Sequence, residues 1–147
     1  MNQDDTKREA SNGVTDTSNK GKILLVDDDK FLMDMYSMKF VKEGYRVEAC
    51  LSVNDAISVL RGDFTPDAIV FDITMPDKDG FAFLEMIGEE KLAGEAIRIA
   101  LTNQSDDSEK KRAEELGVTR YIVKASMIPS EVVNTVSQEL DKRSHTA

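Results

Sequence analysis

From Lys22 onward, short apolar runs alternate with stretches of helical periodicity. The first run, Ile23-Leu24-Leu25-Val26, is continuous and partly β-branched, which suits a strand covered on both faces. Phe31 to Glu43 carries apolar residues at helical spacing and is stopped by Gly44. Tyr45 to Cys50 alternates polar and apolar, as an edge strand does. A second helix is predicted over about Val53 to Arg61, opened by Ser52 with Asp55 three positions later and ended by Gly62. Ala68-Ile69-Val70-Phe71 is a third strand that ends at Asp72, and Pro76 and Gly80 mark the loop after it. Phe81 to Lys91 reads as a helix, Ala96 to Leu101 as a strand, and Asp106 to Leu116 as a polar helix closed by Gly117. Thr119 to Val123 is the fifth strand. Pro129 then opens a helix with Val132, Val133, Val136 and Leu140 on one face.

Five strands alternating with five helices predict right-handed βαβ units and a parallel sheet, an α/β fold. Apolar central strands beside an alternating second strand fit a flavodoxin-like sheet in the order 2-1-3-4-5, with helices on both faces. The predicted domain covers 22–141. Residues 1–21 are rich in Asn, Asp, Ser and Thr and predict a disordered tail, and 142–147 a short C-terminal tail.

The first helix is apolar around much of its circumference. Leu32, Met35, Tyr36 and Phe40 suffice for a core-facing stripe, which leaves Phe31, Met38 and Val41 over. Those three are either part of a wider buried stripe, scattered surface residues, or an adaptable docking face.

Composition narrows the function. The 147 residues are 40% hydrophobic and 32% charged, with a net charge of −9. Such acidity gives no general attraction to nucleic acid or anionic membrane. No apolar run has the length of a membrane span, and Cys50 is the only cysteine, so the expected setting is cytoplasmic. The single histidine, His145, lies in a polar stretch near the C-terminus, which leaves little for a histidine-based metal site or hydrolase triad.

In sheets of this kind ligands bind at the carboxyl ends of the strands. There strand one delivers Asp27, Asp28 and Asp29, strand three Asp72, strand four Thr102 and strand five Lys124. Converging carboxylates repel one another, and a divalent cation relieves the conflict. Carboxylates with water are what Mg2+ prefers. A lysine and a hydroxyl add donors for phosphoryl oxygens, so the set suits phosphoryl transfer. Taken singly, the aspartates would equally serve as helix caps or turn residues.

The segments Val26-Asp27-Asp28, Asp72-Ile73-Thr74-Met75-Pro76 with Asp79-Gly80, Leu101-Thr102 and Tyr121-Ile122-Val123-Lys124 resemble, in that order, a response-regulator receiver domain of two-component signalling, of the CheY-like single-domain kind. The resemblance runs from about Lys22 to Leu140. It implies that Asp72 accepts a phosphoryl group from a sensor histidine kinase or histidine phosphotransfer protein. It implies that Asp28 binds Mg2+ directly, Asp27 through water, Asp72 as a ligand, and Thr74 through its carbonyl. Lys124 would pair with the phosphoryl group, Thr102 would move to hydrogen-bond it, and the Tyr121 rotamer would follow. Thr74 and Gln104 occupy positions that tune phosphoryl lifetime. The output surface would be the face of the fourth helix, fifth strand and fifth helix, and the first helix would receive the histidine-bearing partner. With few residues after Leu140, output is expected to pass through a downstream protein target, from a monomer or weak dimer.

Two positions depart from the family pattern. Ala125 stands where a cis proline usually follows the lysine; a cis bond before a non-proline residue costs about 2.5–4 kcal/mol, so a trans bond is expected. Asn103 stands where a small residue is usual, and its bulk predicts slower phosphorylation by small donors. Two rival readings remain. A pseudo-receiver would bind partners without phosphorylation. A haloacid-dehalogenase-type phosphatase would use Asp27 and Asp29, but it would leave Asp72 idle, and Phe31 does not fit it.

Overall fold

The structure, a computed structural model, describes residues 20–146. The elements run β1 (Gly21–Val26), α1 (Lys30–Lys42), β2 (Tyr45–Cys50), α2 (Val53–Arg61), β3 (Ala68–Asp72), α3 (Gly80–Glu89), β4 (Ile97–Thr102), α4 (Asp107–Glu115), β5 (Arg120–Val123) and α5 (Pro129–Thr146). The five strands form one sheet in the order β2-β1-β3-β4-β5, and every neighbouring pair is parallel. This is the architecture read from the alternation of patterns.

Strand residues alternate between two cores. Ile23, Leu25, Val70, Ile99, Leu101 and Ile122 face α1 and α5. Leu24, Val26, Ile69, Phe71 and Ala100 face α2, α3 and α4. Burying both faces of the three central strands explains their uninterrupted apolar runs. β2, covered on one edge only, keeps the mixed pattern. Its Tyr45 hydroxyl is 2.9 Å from the Ser137 hydroxyl on α5, which ties the edge strand to the last helix.

Helix starts follow the sequence signals. Ser52 Oγ accepts from Asp55 N at the start of α2. Asp79 Oδ1 accepts from Ala82 N at the start of α3, a cap that the sequence reading did not name. α4 is the least embedded helix, because Ala113 is its only buried residue.

Three expectations need correction. On α1 the buried residues are Met33, Tyr36 and Phe40, while Leu32 and Met35 are only half-buried. Spacings of three and four put positions 33, 36 and 40 on one helical face, and that face is the one turned to the sheet. β1 begins at Gly21, which pairs with Tyr45, so the strand reaches into the segment expected as tail; the rest of that segment, 1–19, lies outside the described residues. α5 continues through 142–146, expected as a C-terminal tail. There the Arg143 guanidinium donates to the Glu95 carbonyl at 2.7 Å and to Asp67, anchoring the helix to the loops before β3 and β4.

Candidate functional site

The ends of β1, β3, β4 and β5 meet at one edge of the sheet. The ladder continues past the strand ends: Asp27 N donates to Cys50 O, and Ile73 N donates to Leu101 O. These bonds fix the backbone on which the site is built. Asp27 and Asp72 are buried and Asp28 is exposed beside them. One carboxylate oxygen from each of the three lies within 4.8 Å of the others.

Lys124 closes the cluster. Its Nζ lies 2.7 Å from Asp27 Oδ2 and donates to Asp72 Oδ2 at 3.1 Å. Burial lowers the ammonium's affinity for its proton, but the negative charges of Asp27 and Asp72, with the hydrogen bond to Asp72, outweigh that and raise its pKa. Asp72 is pushed up from the usual carboxylate range, first by burial and then by Asp27, with Lys124 and the Thr74 amide pulling the other way. Asp72 Oδ1 accepts from Thr74 N at 3.1 Å, and Asp27 Oδ1 accepts from Asp29 N at 2.9 Å. Asp29 itself caps α1, accepting from Leu32 N at 3.0 Å. Of three consecutive aspartates, two therefore face the site and the third opens the helix.

The donor set fits a hard divalent cation. It offers only oxygen ligands, in a cluster with more carboxylates than ammonium groups. Asp27 Oδ2 is fully buried and makes no hydrogen bond of good geometry, its contact to Lys124 being one of charge. Such an acceptor has capacity left for a cation.

Thr102 is buried at the end of β4, one strand from Asp72. Its hydroxyl is engaged with the next loop, donating to Gln104 O at 3.1 Å and accepting from Gln104 N at 3.4 Å. Thr74, Thr102, Asn103 and Gln104 line a polar cleft of about 380 Å3, with Glu109 at its rim. Tyr121, half-buried on β5, donates to Glu109 Oε1 at 2.6 Å and accepts from Asp106 N at 3.3 Å. The Lys124–Ala125 peptide is trans, as expected, since no cis bond occurs among the described residues. Lys124–Ser126 instead form a 3-10 turn, an element that the sequence pattern did not signal.

Two contributors were given no site role in the sequence reading, although Gly80 was noted there as a loop marker and a motif residue. Gly80 lies against the end of β3, where a Cβ would stand 2.8 Å from the Asp72 carbonyl oxygen and 2.8 Å from Ile73 Cα. Glycine in the first turn of a helix, where most residues serve, was the available signal. Glu109 looked like one of several surface charges on a polar helix, and nothing local distinguished it.

An acidic cluster bridged by one lysine at the carboxyl edge of a 2-1-3-4-5 sheet defines a receiver-type site. The sequence matches the family described as response regulator receiver domain over residues 23–136, so the chain belongs to the receiver family of two-component signalling. Among solved structures, it is similar to the receiver domain of HemR from Leptospira biflexa in its non-phosphorylated form, with 30% identity, 82% of this chain and 94% of that one covered, and a TM-score of 0.72. The BeF3-activated receiver domain of DrrB, from Thermotoga maritima, shares 30% identity over 82% of this chain and 97% of that one, with a TM-score of 0.70. A CheY-like receiver domain protein from Methanospirillum hungatei, 24% identical, shares the fold over 86% and 98% of the two chains with a TM-score of 0.76. Receiver domains are signalling switches rather than enzymes that turn over many substrates. Among the described residues no helix is long and apolar enough to cross a membrane.

Proposed function

We propose that Asp72 accepts a phosphoryl group from a histidine of a sensor kinase or phosphotransfer protein, and that the chain works as a switch read by a downstream protein. The observation that carries this reading is the Lys124 ammonium bridging Asp27 and Asp72 inside the acidic cluster. In the transfer, an Asp72 carboxylate oxygen bonds to phosphorus. The bond from phosphorus to the histidine nitrogen breaks, that nitrogen keeps the electron pair, and the imidazole regains a proton from solvent.

Asp27, Asp28, Asp72 and the Thr74 carbonyl would hold Mg2+, which when bound neutralises charge among the carboxylates and phosphoryl oxygens. The residues of the chain supply the rest. Lys124, already hydrogen-bonded to Asp72, would pair with the new phosphoryl oxygens, and Thr102 would exchange its Gln104 partner for one of them. Tyr121 would follow Thr102, changing the face formed by α4, β5 and α5 that the target protein reads. The added group carries roughly −1.5 to −2 charge, enough to recruit a cation and a hydroxyl. Thr74, Asn103 and Gln104, on the cleft wall, would set how easily small donors and water reach Asp72.

A protein donor has a ready surface on α1. Phe31, Met38 and Val41 are 74%, 66% and 58% exposed, and Phe31 lies in the first turn of α1, just after its Asp29 cap. Exposed large apolar residues on one helix suit a docking face better than a solvated one.

Magnesium-dependent labelling with acetyl phosphate, followed by intact mass, tests the reading. Wild type should gain one phosphoryl group in the presence of Mg2+. Asp72→Ala should gain none, and equal labelling of the two would refute the assignment.

A further inference from the structure

α4 is weakly embedded, and a few polar ties hold it in place. Only Ala113 is buried. At its middle, the Arg112 guanidinium stacks 4.2 Å from the centroid of the Phe81 ring and reaches Glu85 at 3.5 Å, both on α3. At its start, the Asp106 side chain caps the helix by accepting from Glu109 N at 2.9 Å. The side chain of the same Glu109 receives the Tyr121 hydroxyl at 2.6 Å. A hydrogen bond to a charged acceptor is stronger than one between neutral groups. On a helix with one buried residue, such a tie is a large share of what fixes its position.

The tie also connects to the acceptor site. Tyr121 lies on β5, and its hydroxyl accepts from Asp106 N in the loop that follows Thr102. Thr102 is bound at both donor and acceptor sides to Gln104 in that loop. Any move of the Thr102 hydroxyl toward Asp72 must therefore release Gln104 and shift the loop leading into α4. Glu109 opposes that shift, because the geometry of its bond to Tyr121 depends on where α4 begins.

We propose that Glu109 is a positioning residue that holds Tyr121 against the start of α4 and thereby lowers the affinity of the Asp72 site for a phosphoryl group. The proposal rests on the receiver reading of Asp72. A ligand that favours a rearranged α4 must first break this bond, so its apparent affinity falls by the population of the unlatched form.

Beryllofluoride, with Mg2+, serves as the phosphoryl-like probe, titrated into the full chain by calorimetry. Glu109→Ala and Tyr121→Phe should each tighten binding about five- to tenfold, the size of one partly exposed charged hydrogen bond. The double variant should bind no more tightly than the tighter single one, because both changes remove the same bond. Glu109→Gln, which keeps a neutral acceptor, should show a smaller shift than Glu109→Ala. A purely structural role would change the melting temperature without changing probe affinity. Binding by Glu109→Ala within twofold of wild type, or effects that add in the double variant, would overturn the latch while leaving the receiver reading intact. Wild type that binds no better than Asp72→Asn would overturn both.

Discussion

The Lys124 ammonium sits closer to Asp27, at 2.7 Å, than to Asp72, at 3.1 Å. The lysine is thus shared between a carboxylate assigned to the metal and the one assigned to the phosphoryl group. Replacing it by alanine leaves two buried carboxylates with no ammonium. Breaking a fully buried pair costs about 3–5 kcal/mol, and Lys124 is partly exposed, so a loss of about 2–3 kcal/mol is expected for Lys124→Ala. Chemical denaturation would read it. Saturating Mg2+ should recover most of the loss, because the cation relieves the same repulsion. A loss unaffected by Mg2+ would show that the cluster is not where the cation binds.

Asp72 has the opposite sign. Its pKa is raised in the folded protein, by burial and by Asp27. An acid with a raised folded pKa binds its proton more tightly when folded, so its ionised form works against folding above that pKa. The cost fades as pH falls through the folded value. Asp72→Asn should therefore melt higher than wild type at neutral pH without Mg2+, with a gap that narrows on acidification. Adding Mg2+ should raise the wild-type melting temperature and leave the variant nearly unchanged. A variant that melts lower at neutral pH would contradict this balance of charges.

Gly80 is packed directly beneath the acceptor. A methyl group there would press on the Asp72 carbonyl and Ile73 Cα at 2.8 Å and on the Phe71 ring at 3.0 Å, and two of these are backbone atoms that cannot turn aside. Gly80→Ala should cost about 1–3 kcal/mol, the range for overpacking, measured by urea titration. It should also slow labelling of Asp72, because the strain falls on that residue's own backbone. Unchanged labelling would mean that α3 yields instead of β3.

On α1, Met38→Glu should change stability by no more than about 0.5 kcal/mol, because the side chain lies in solvent. Transfer from a protein donor should fall about tenfold, the loss of one interface anchor, while labelling by acetyl phosphate stays the same. Equal phosphotransfer from the cognate donor would remove α1 as its docking face.

The order of elements was legible because each strand and helix carries its own period and stop signals, from the apolar run at Ile23 to the cap at Ser52 and the stop at Gly117. The convergence of Asp27, Asp28, Asp72 and Lys124 was legible too, because parallel topology brings all strand ends to one edge. Packing decided the rest. α1 is apolar on several sides, so periodicity alone did not select Met33 over Met35. Three consecutive aspartates look alike in sequence, and only the turn into α1 makes Asp29 a cap. Thr102 was correctly placed at its strand end, but the direction of a hydroxyl depends on the following loop, here Gln104. The reach of α5 past Leu140 depends on Arg143 meeting Asp67 and Glu95, residues far away in the chain.

Borohydride trapping tests the central claim most directly. An acyl phosphate on an aspartate is reduced to homoserine, so the acceptor is read by peptide mass after Mg2+ and acetyl phosphate treatment. Homoserine at position 72, formed only with Mg2+ and donor, is the result the site predicts. Homoserine at Asp27 or Asp28 instead, or none at any position in protein that intact mass shows to be phosphorylated, would contradict it.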